Sequence, residues 1–315
     1  MVTGIFAGIA WALETVILGL ALGMGGFVST EEALFLAPFV ATFLHDGFSA
    51  LCMFLYNAAR GRLRGLWEIR KSPSLKWLIL ASVIGGPVGM TGYVLAVRFM
   101  GAAVGAVASA IYPAVGTVLA CIFLKEKVKW YQWVFLFFTL AGVLGLSYSP
   151  SLNVENFWLG LLGAAMCAFG WGVEAVILAK CLKDPAIRDE YALNVRQAVS
   201  ALVYGGVLLP LLGGWELTGQ VVTGGGMLLP TVAGAALCAT VSYLLYYRTI
   251  GRIGASKAMA LNITYTAWAI FFSALLLFDL SVLDPMTLAC AAVIVVCGIL
   301  AATDVKKLLP GHGGA

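Results

Sequence analysis

Ten apolar stretches, each about the 20 residues that a helix needs to cross roughly 30 Å of hydrocarbon, take up most of this chain. They fall at 2–22, 33–59, 74–97, 102–124, 130–148, 157–180, 190–212, 227–247, 254–278 and 285–303. The linkers between them are short and marked by Gly, Pro, Ser or charge. Of the 315 residues, 62% are hydrophobic and 11% charged, against about 25% charged in soluble domains. Such a chain cannot coat a water-exposed surface. In lipid each backbone N–H and C=O must find its partner inside the fold, so the pattern predicts an all-α integral membrane protein with ten transmembrane helices. The first stretch has no basic leader and carries Glu14 at its centre, so it does not read as a cleaved signal peptide.

The basic residues give the orientation. Arg60, Arg62, Arg64, Arg70, Lys71 and Lys76 share a face with the 125–129 lysines, with Lys180, Lys183 and Arg188, with Arg248, Arg252 and Lys257, and with Lys306 and Lys307. Only Arg98 and Arg196 of the 19 Lys and Arg lie elsewhere. The opposite linkers hold Glu31, Glu32, Glu155, Glu216, Asp279 and Asp284. By the positive-inside rule both termini are cytoplasmic. The net charge of +4 is then a topology signal and marks no nucleic-acid partner.

Two halves of the chain echo each other. WALETVIL at 11–18 returns as WGVEAVIL at 171–178; YVLAVR at 93–98 matches YLLYYR at 243–248; HDGFSAL at 45–51 lines up with RQAVSAL at 196–202; Tyr112 lies near the frame of Tyr265. The expected organisation is therefore two five-helix repeats, 1–150 and 151–315, the second ending in a short cytoplasmic tail. Since five is odd, the second repeat enters the membrane inverted. In such transporter architectures the site lies near the midplane, between the halves.

Charges inside the spans are few: Glu14, His45, Asp46, Glu174 and Arg196. Each costs at least ~2.5–3.5 kcal/mol at bilayer depth on insertion scales, so they face a cavity or one another. Asp46 and Arg196, with Gln197 beside them, fit either a coupling network or a structural ion pair joining the halves; His45 fits either a functional or a packing role. No basic residue occupies a matching depth for Glu14 or Glu174, which leaves these carboxylates as candidates for direct contact with a substrate.

Trp11 and Glu14 are three residues apart, on one face of a helix, and Trp171 and Glu174 repeat the arrangement. Tyr93, Tyr112, Tyr243 and Tyr265 join them as candidate substrate-binding residues, with Trp268 nearby. Aromatic faces beside a carboxylate suit a bulky cation without hydrogen-bond donors, each ring contributing ~0.5–2 kcal/mol. Quaternary ammonium compounds are that ligand class. Trp67, Trp77, Trp130, Trp133, Trp158 and Trp215, near span ends, read as interfacial belt residues. GGPVG at 85–89 interrupts the third span and Pro113 breaks the ladder of the fourth, as static kinks or as hinges.

The seven cysteines form no CxxC pair or Cys/His cluster, so neither a metal site nor a disulfide framework is expected. No GxSxG elbow or phosphate-cradling loop occurs, and the only histidines are His45 and His312. The chain does not read as an enzyme, and no cofactor is expected.

LHDGFS (44–49), GPVGM (86–90), SAIYPA (109–114), FLKEK (123–127), GWGVE (170–174) and VRQAVS (195–200), with the 123–146 hinge, resemble the drug/metabolite transporter superfamily with EamA-type domains. Within it the chain resembles the LicB-type bacterial choline transporters. The resemblance covers nearly the whole chain. It implies alternating access in the bacterial plasma membrane, a central cation site near the two Trp/Glu pairs and Tyr112, and choline as substrate. The expected function is secondary-active import of a choline-like cation, with Glu174 as counter-charge and Glu14 or the His45–Asp46 pair as candidates for proton coupling. Export of amino acids or other small metabolites is the alternative.

Overall fold

The computed structural model describes residues 1–100, 102–147, 155–278, 280 and 283–304; within 102–108 it describes only the side chain of Val107. Asp279, Lys306, Lys307 and His312, and the last residue of the 130–148 stretch, lie outside the described residues. The described chain is helical, with helices α1 (Val2–Leu22), α2 (Glu31–Ala59), α3 (Leu63–Glu68), α4 (Leu75–Met100), α5 (Ala102–Phe123), α6 (Trp130–Leu146), α7 (Phe157–Cys181), α8 (Asp189–Leu212), α9 (Trp215–Thr223), α10 (Leu228–Ile253), α11 (Ala255–Leu276) and α12 (Pro285–Ala302). Among the described residues, eight of these are long and apolar enough to cross a membrane; α5 and α6 contribute shorter apolar helices.

Helix starts follow local chemistry. Thr30 caps α2 by accepting from the Ala33 N–H, Asn156 caps α7 through the Leu159 N–H, and Asp284 caps α12 through the N–H groups of Met286 and Thr287. The short helices α3 and α9 fall in stretches that hydropathy assigns to linkers.

Three irregularities lie at mid-span. The GGPVG segment does not interrupt α4: the helix widens into a π turn at Ile84–Val88 and continues. The side chain of Trp171 donates to the Gly85 carbonyl within this turn at 3.0 Å. A second π turn, at Tyr204–Leu208, lies in α8. Helix α5 runs through Pro113, whereas α11 is divided at Ile263–Thr264 into Ala255–Asn262 and Tyr265–Leu276.

Helix packing follows a regular scheme. α1 packs on α10 and α11; α4 and α5 pack on α7; α2 packs on α8; α6 packs on α12. Small residues allow the closest crossings, as usual between membrane helices. A Cβ on Gly92 would lie 2.6 Å from the Gly163 carbonyl, and one on Gly172 would lie 3.0 Å from the Gly116 N–H.

Contacts gather the basic linkers at one end. Arg62 and Arg188 pair with Glu190, Arg248 with Asp189 at 2.6 Å, and Lys129 with Asp304 at 2.5 Å. Ser72 and Ser74 donate to Asp184 at 2.6 and 2.7 Å, and these bonds, with the Ala186 N–H, hold the Asp184 carboxyl below the usual carboxylate range. Glu126 receives the N–H groups that open α11, Ala255 at 2.8 Å and Ser256 at 3.1 Å. At the opposite end Arg98 pairs with Glu155 at 2.5 Å.

Candidate functional site

Helices α1, α2, α4, α5, α7, α8, α10 and α11 enclose a cavity of about 610 Å³, within the range of ~300–1,000 Å³ found for small-molecule sites. It runs from Trp11 and Glu14 past Leu18 to Leu22 on α1, and from His45 to Leu34 on α2. Its mouth is therefore at the end away from the basic linkers. Eleven residues of α1 separate Trp11 from Leu22, a depth of roughly 16 Å at 1.5 Å per residue.

The floor is aromatic. Tyr265 stacks on Trp11 with ring centroids 4.6 Å apart, and Tyr243 lies 6.0 Å from Trp11. Trp171 meets Trp11 edge-on at 6.1 Å, stacks with Tyr93 at 6.2 Å and meets Tyr112 edge-on at 5.9 Å. The division of α11 places Tyr265 at the start of its second segment and Asn262 at the end of its first. Asn262 Nδ2 donates to the Tyr112 hydroxyl at 3.0 Å, and Tyr265 lies 3.3 Å from the Ser109 hydroxyl.

Beside the aromatics runs a line of buried charge. His45 Nε2 lies 3.5 Å from Glu14 Oε1, and His45 Nδ1 lies 2.9 Å from Asp46 Oδ1. Arg196 reaches Asp46 Oδ2 at 3.3 Å and Glu174 Oε1 at 3.1 Å. The guanidinium also donates to Gln197 Oε1 at 2.6 Å and sits 4.9 Å from the Tyr243 ring centre. Gln197 donates to Ser49 at 2.8 Å, and Ser49 lies 2.7 Å from the Thr240 hydroxyl. Glu14, His45, Asp46, Glu174 and Arg196 are all buried.

The structure thus gathers the sequence-identified residues but separates their surroundings. Trp11, Glu14, Tyr93, Trp171, Tyr243, Tyr265, His45, Asp46 and Arg196 line the large cavity. Glu174 and Tyr112 do not. They face a much smaller void of about 20 Å³ on the basic side of Trp11, Trp171 and Tyr243. The expectation that no cation sits at the depth of Glu174 is corrected: Arg196 does, because its long side chain reaches across from α8. Gln197 is wholly buried as a hydrogen-bonding link.

Sequence reasoning missed Asn262 and Tyr247. The Tyr247 hydroxyl lies 3.4 Å from Glu174 Oε1 and donates to it. The signal for Asn262 was a lone amide in an apolar stretch; Tyr247 stood in the YLLYYR repeat match, where Tyr243 alone was chosen. Among the described residues no cluster of His, Cys, Asp and Glu could hold a metal ion.

Comparison with known proteins adds three likenesses. The chain is 28% identical to protein LicB of Haemophilus influenzae over 61% of its own length and 63% of that protein, so the match spans less than two thirds of LicB. A solved crystal structure superposes over 98% of both chains with a TM-score of 0.73 at 16% identity, which is a likeness of fold. Residues 1–148 match the model of the EamA-like transporter family, which is what this stretch of the chain is similar to.

Proposed function

We propose that the chain is a secondary-active transporter that imports choline or a related quaternary ammonium compound by alternating access across a bacterial plasma membrane. It does so with ten spans in two inverted five-helix repeats, 1–150 and 151–315, and cytoplasmic termini. The observation that carries this reading is the cavity floor, where Trp11, Trp171, Tyr93, Tyr243 and Tyr265 surround a space that also holds the Glu14 carboxylate. Ring faces and the Glu14 carboxylate attract a cation that offers no hydrogen-bond donors in return.

Charge balance supports the same reading. Glu14, Asp46 and Glu174 face one permanent cation, Arg196, and one titratable base, His45. Fully ionised, with His45 neutral, the cluster carries two uncompensated negative charges. One substrate cation and one proton bring it to neutrality, the state that crosses a low-dielectric interior most easily. That is a proton-coupled import cycle, with His45 and Glu14 as the exchanging groups. Glu14 rather than Glu174 is then the substrate's counter-charge, because Arg196 already engages Glu174.

The packing supports the inverted repeat. Exchanging each helix for its repeat partner turns the α1–α10 and α1–α11 contacts into α7–α4 and α7–α5, which are also present. The same exchange relates Trp11–Tyr243 to Trp171–Tyr93, Trp11–Tyr265 to Trp171–Tyr112, and His45–Glu14 to Arg196–Glu174.

Export of amino acids is the second reading, and Arg196 on the cavity wall is the observation that favours it, since a guanidinium can receive a substrate carboxylate. Against it, Arg196 already holds two carboxylates. A thermal-stability panel separates the readings, because a ligand stabilises the state it binds. Choline and betaine should raise the melting temperature. Stabilisation by aromatic amino acids and none by choline would favour export.

A further inference from the structure

A second pocket, of about 300 Å³, opens at the basic end of the molecule. It is lined by Leu124, Glu126 and Lys127 beyond α5, by Ala179, Leu182 and Lys183 at the end of α7, by Ile250 on α10, and by Ser256 and Lys257 at the start of α11; three lysines thus face one carboxylate, which the Ala255 and Ser256 N–H groups already hold. These four helices also enclose the small void behind the aromatic floor, through Tyr112, Leu178, Tyr247 and Asn262. The two spaces therefore lie along one line, void first and basic pocket beyond it.

The barrier between them is thin. Leu178 faces the void and Leu182 the pocket, four residues or about 6 Å apart along α7. Tyr247 and Ile250 stand in the same relation on α10, about 4.5 Å apart. Leu178, Tyr247, Ile250 and Met259 fill this layer and are almost wholly buried. One polar bond crosses out of it: Tyr247 donates to Glu174, which Arg196 holds from the other side.

We propose that this layer is the inner gate of the transport path and the basic pocket its exit, with Glu174 a positioning residue that latches the gate shut through Tyr247. The inference rests on the transporter reading but not on the identity of the substrate. Breaking the Tyr247–Glu174 bond, which ties α10 to α7, lets these helices part at the layer. Lys127, Lys183 and Lys257 line the exit, and none of them forms an ion pair among the described residues. A cation arriving there meets like charge, which favours release over rebinding.

Cysteine accessibility tests this in the full-length chain with its seven cysteines replaced. The probe is a polar maleimide and no substrate is added, so absence of choline transport would leave the readout intact. Ile250→Cys should label slowly and Lys183→Cys, at the mouth, rapidly. Adding Tyr247→Phe, which keeps the ring but removes the bond, should speed labelling of Ile250→Cys roughly three- to tenfold, the usual worth of one hydrogen bond. Val232→Cys, in the core near the opposite end, should be unaffected. An unchanged Ile250→Cys rate in both Tyr247→Phe and Glu174→Gln backgrounds overturns the proposal. So does equal acceleration at Val232→Cys, which would make Tyr247 a general stabiliser.

Discussion

Arg196 holds Glu174 at 3.1 Å, and this contact decides which carboxylate of the repeated Trp–Glu pair is available to a ligand. The corresponding neighbour of Glu14 is His45, at 3.5 Å. An arginine is always charged, while a histidine balances a carboxylate only when protonated. Two similar sequence frames thus yield one fixed ion pair and one exchangeable pair. Glu174 borders the small void, whereas Glu14, His45 and Arg196 border the large cavity.

Removing Arg196 leaves Asp46 and Glu174 buried without compensation. Arg196→Leu should lower stability by about 3–5 kcal/mol, the usual cost of breaking a buried ion pair from one side. Thermal unfolding in detergent reads this directly. Adding Glu174→Leu should recover part of the loss, and a single variant as stable as the parent would show the pair to be unimportant.

Glu14→Gln and Glu174→Gln should behave differently. The first should leave melting in the absence of ligand nearly unchanged and weaken choline binding at least tenfold, since the amide removes the charge that faces the cation. The second should lower the melting temperature, because Arg196 loses one of its two anions. Calorimetric titration beside a melting curve separates the two, and the opposite pattern would restore Glu174 as the counter-charge.

The aromatic floor can be dissected ring by ring. Trp11→Leu removes the residue that contacts Trp171, Tyr243 and Tyr265, and it should cost about 0.5–2 kcal/mol of cation binding. Affinity for an uncharged isostere of choline should fall less. Equal losses for both ligands would mean that Trp11 contributes shape rather than charge attraction.

The α4–α7 crossing is a stability prediction independent of the ligand. A Cβ on Gly92 would lie 2.5 Å from Met166 Cβ and 2.6 Å from the Gly163 carbonyl. Gly92→Ala should therefore destabilise by about 1–3 kcal/mol through overpacking. Gly206→Ala, where a Cβ meets nothing within 4 Å, is the control in a comparable helix.

Helix positions were legible because hydropathy over ~20 residues is a strong signal and the membrane permits few alternatives. The predicted 157–180 and 285–303 stretches end within a residue of α7 and α12. Local irregularity was harder to read. The π turn at Tyr204–Leu208 contains no proline, Pro210 lying two residues beyond it, and the division of α11 after Asn262 lies in a stretch that hydropathy reads as one span. The candidate site was legible as a set of residues, since each is a charged group, an amide, a tyrosine or a tryptophan deep within an apolar span. Their pairing was legible only in part: Asp46 with Arg196 was one of two readings, and the pair forms. Depth along a helix can be counted from sequence, but its rotation toward a neighbour depends on packing, so the reach of Arg196 from α8 to Glu174 on α7 was invisible.

Uptake of labelled choline into proteoliposomes, with and without an acidic exterior, tests the central claim most directly. Saturable uptake that competing quaternary ammonium compounds inhibit, that an inward proton gradient accelerates, and that Glu14→Gln abolishes is the result expected. Absence of saturable choline uptake under every imposed ion gradient, from protein whose melting curve shows it folded, would contradict the account.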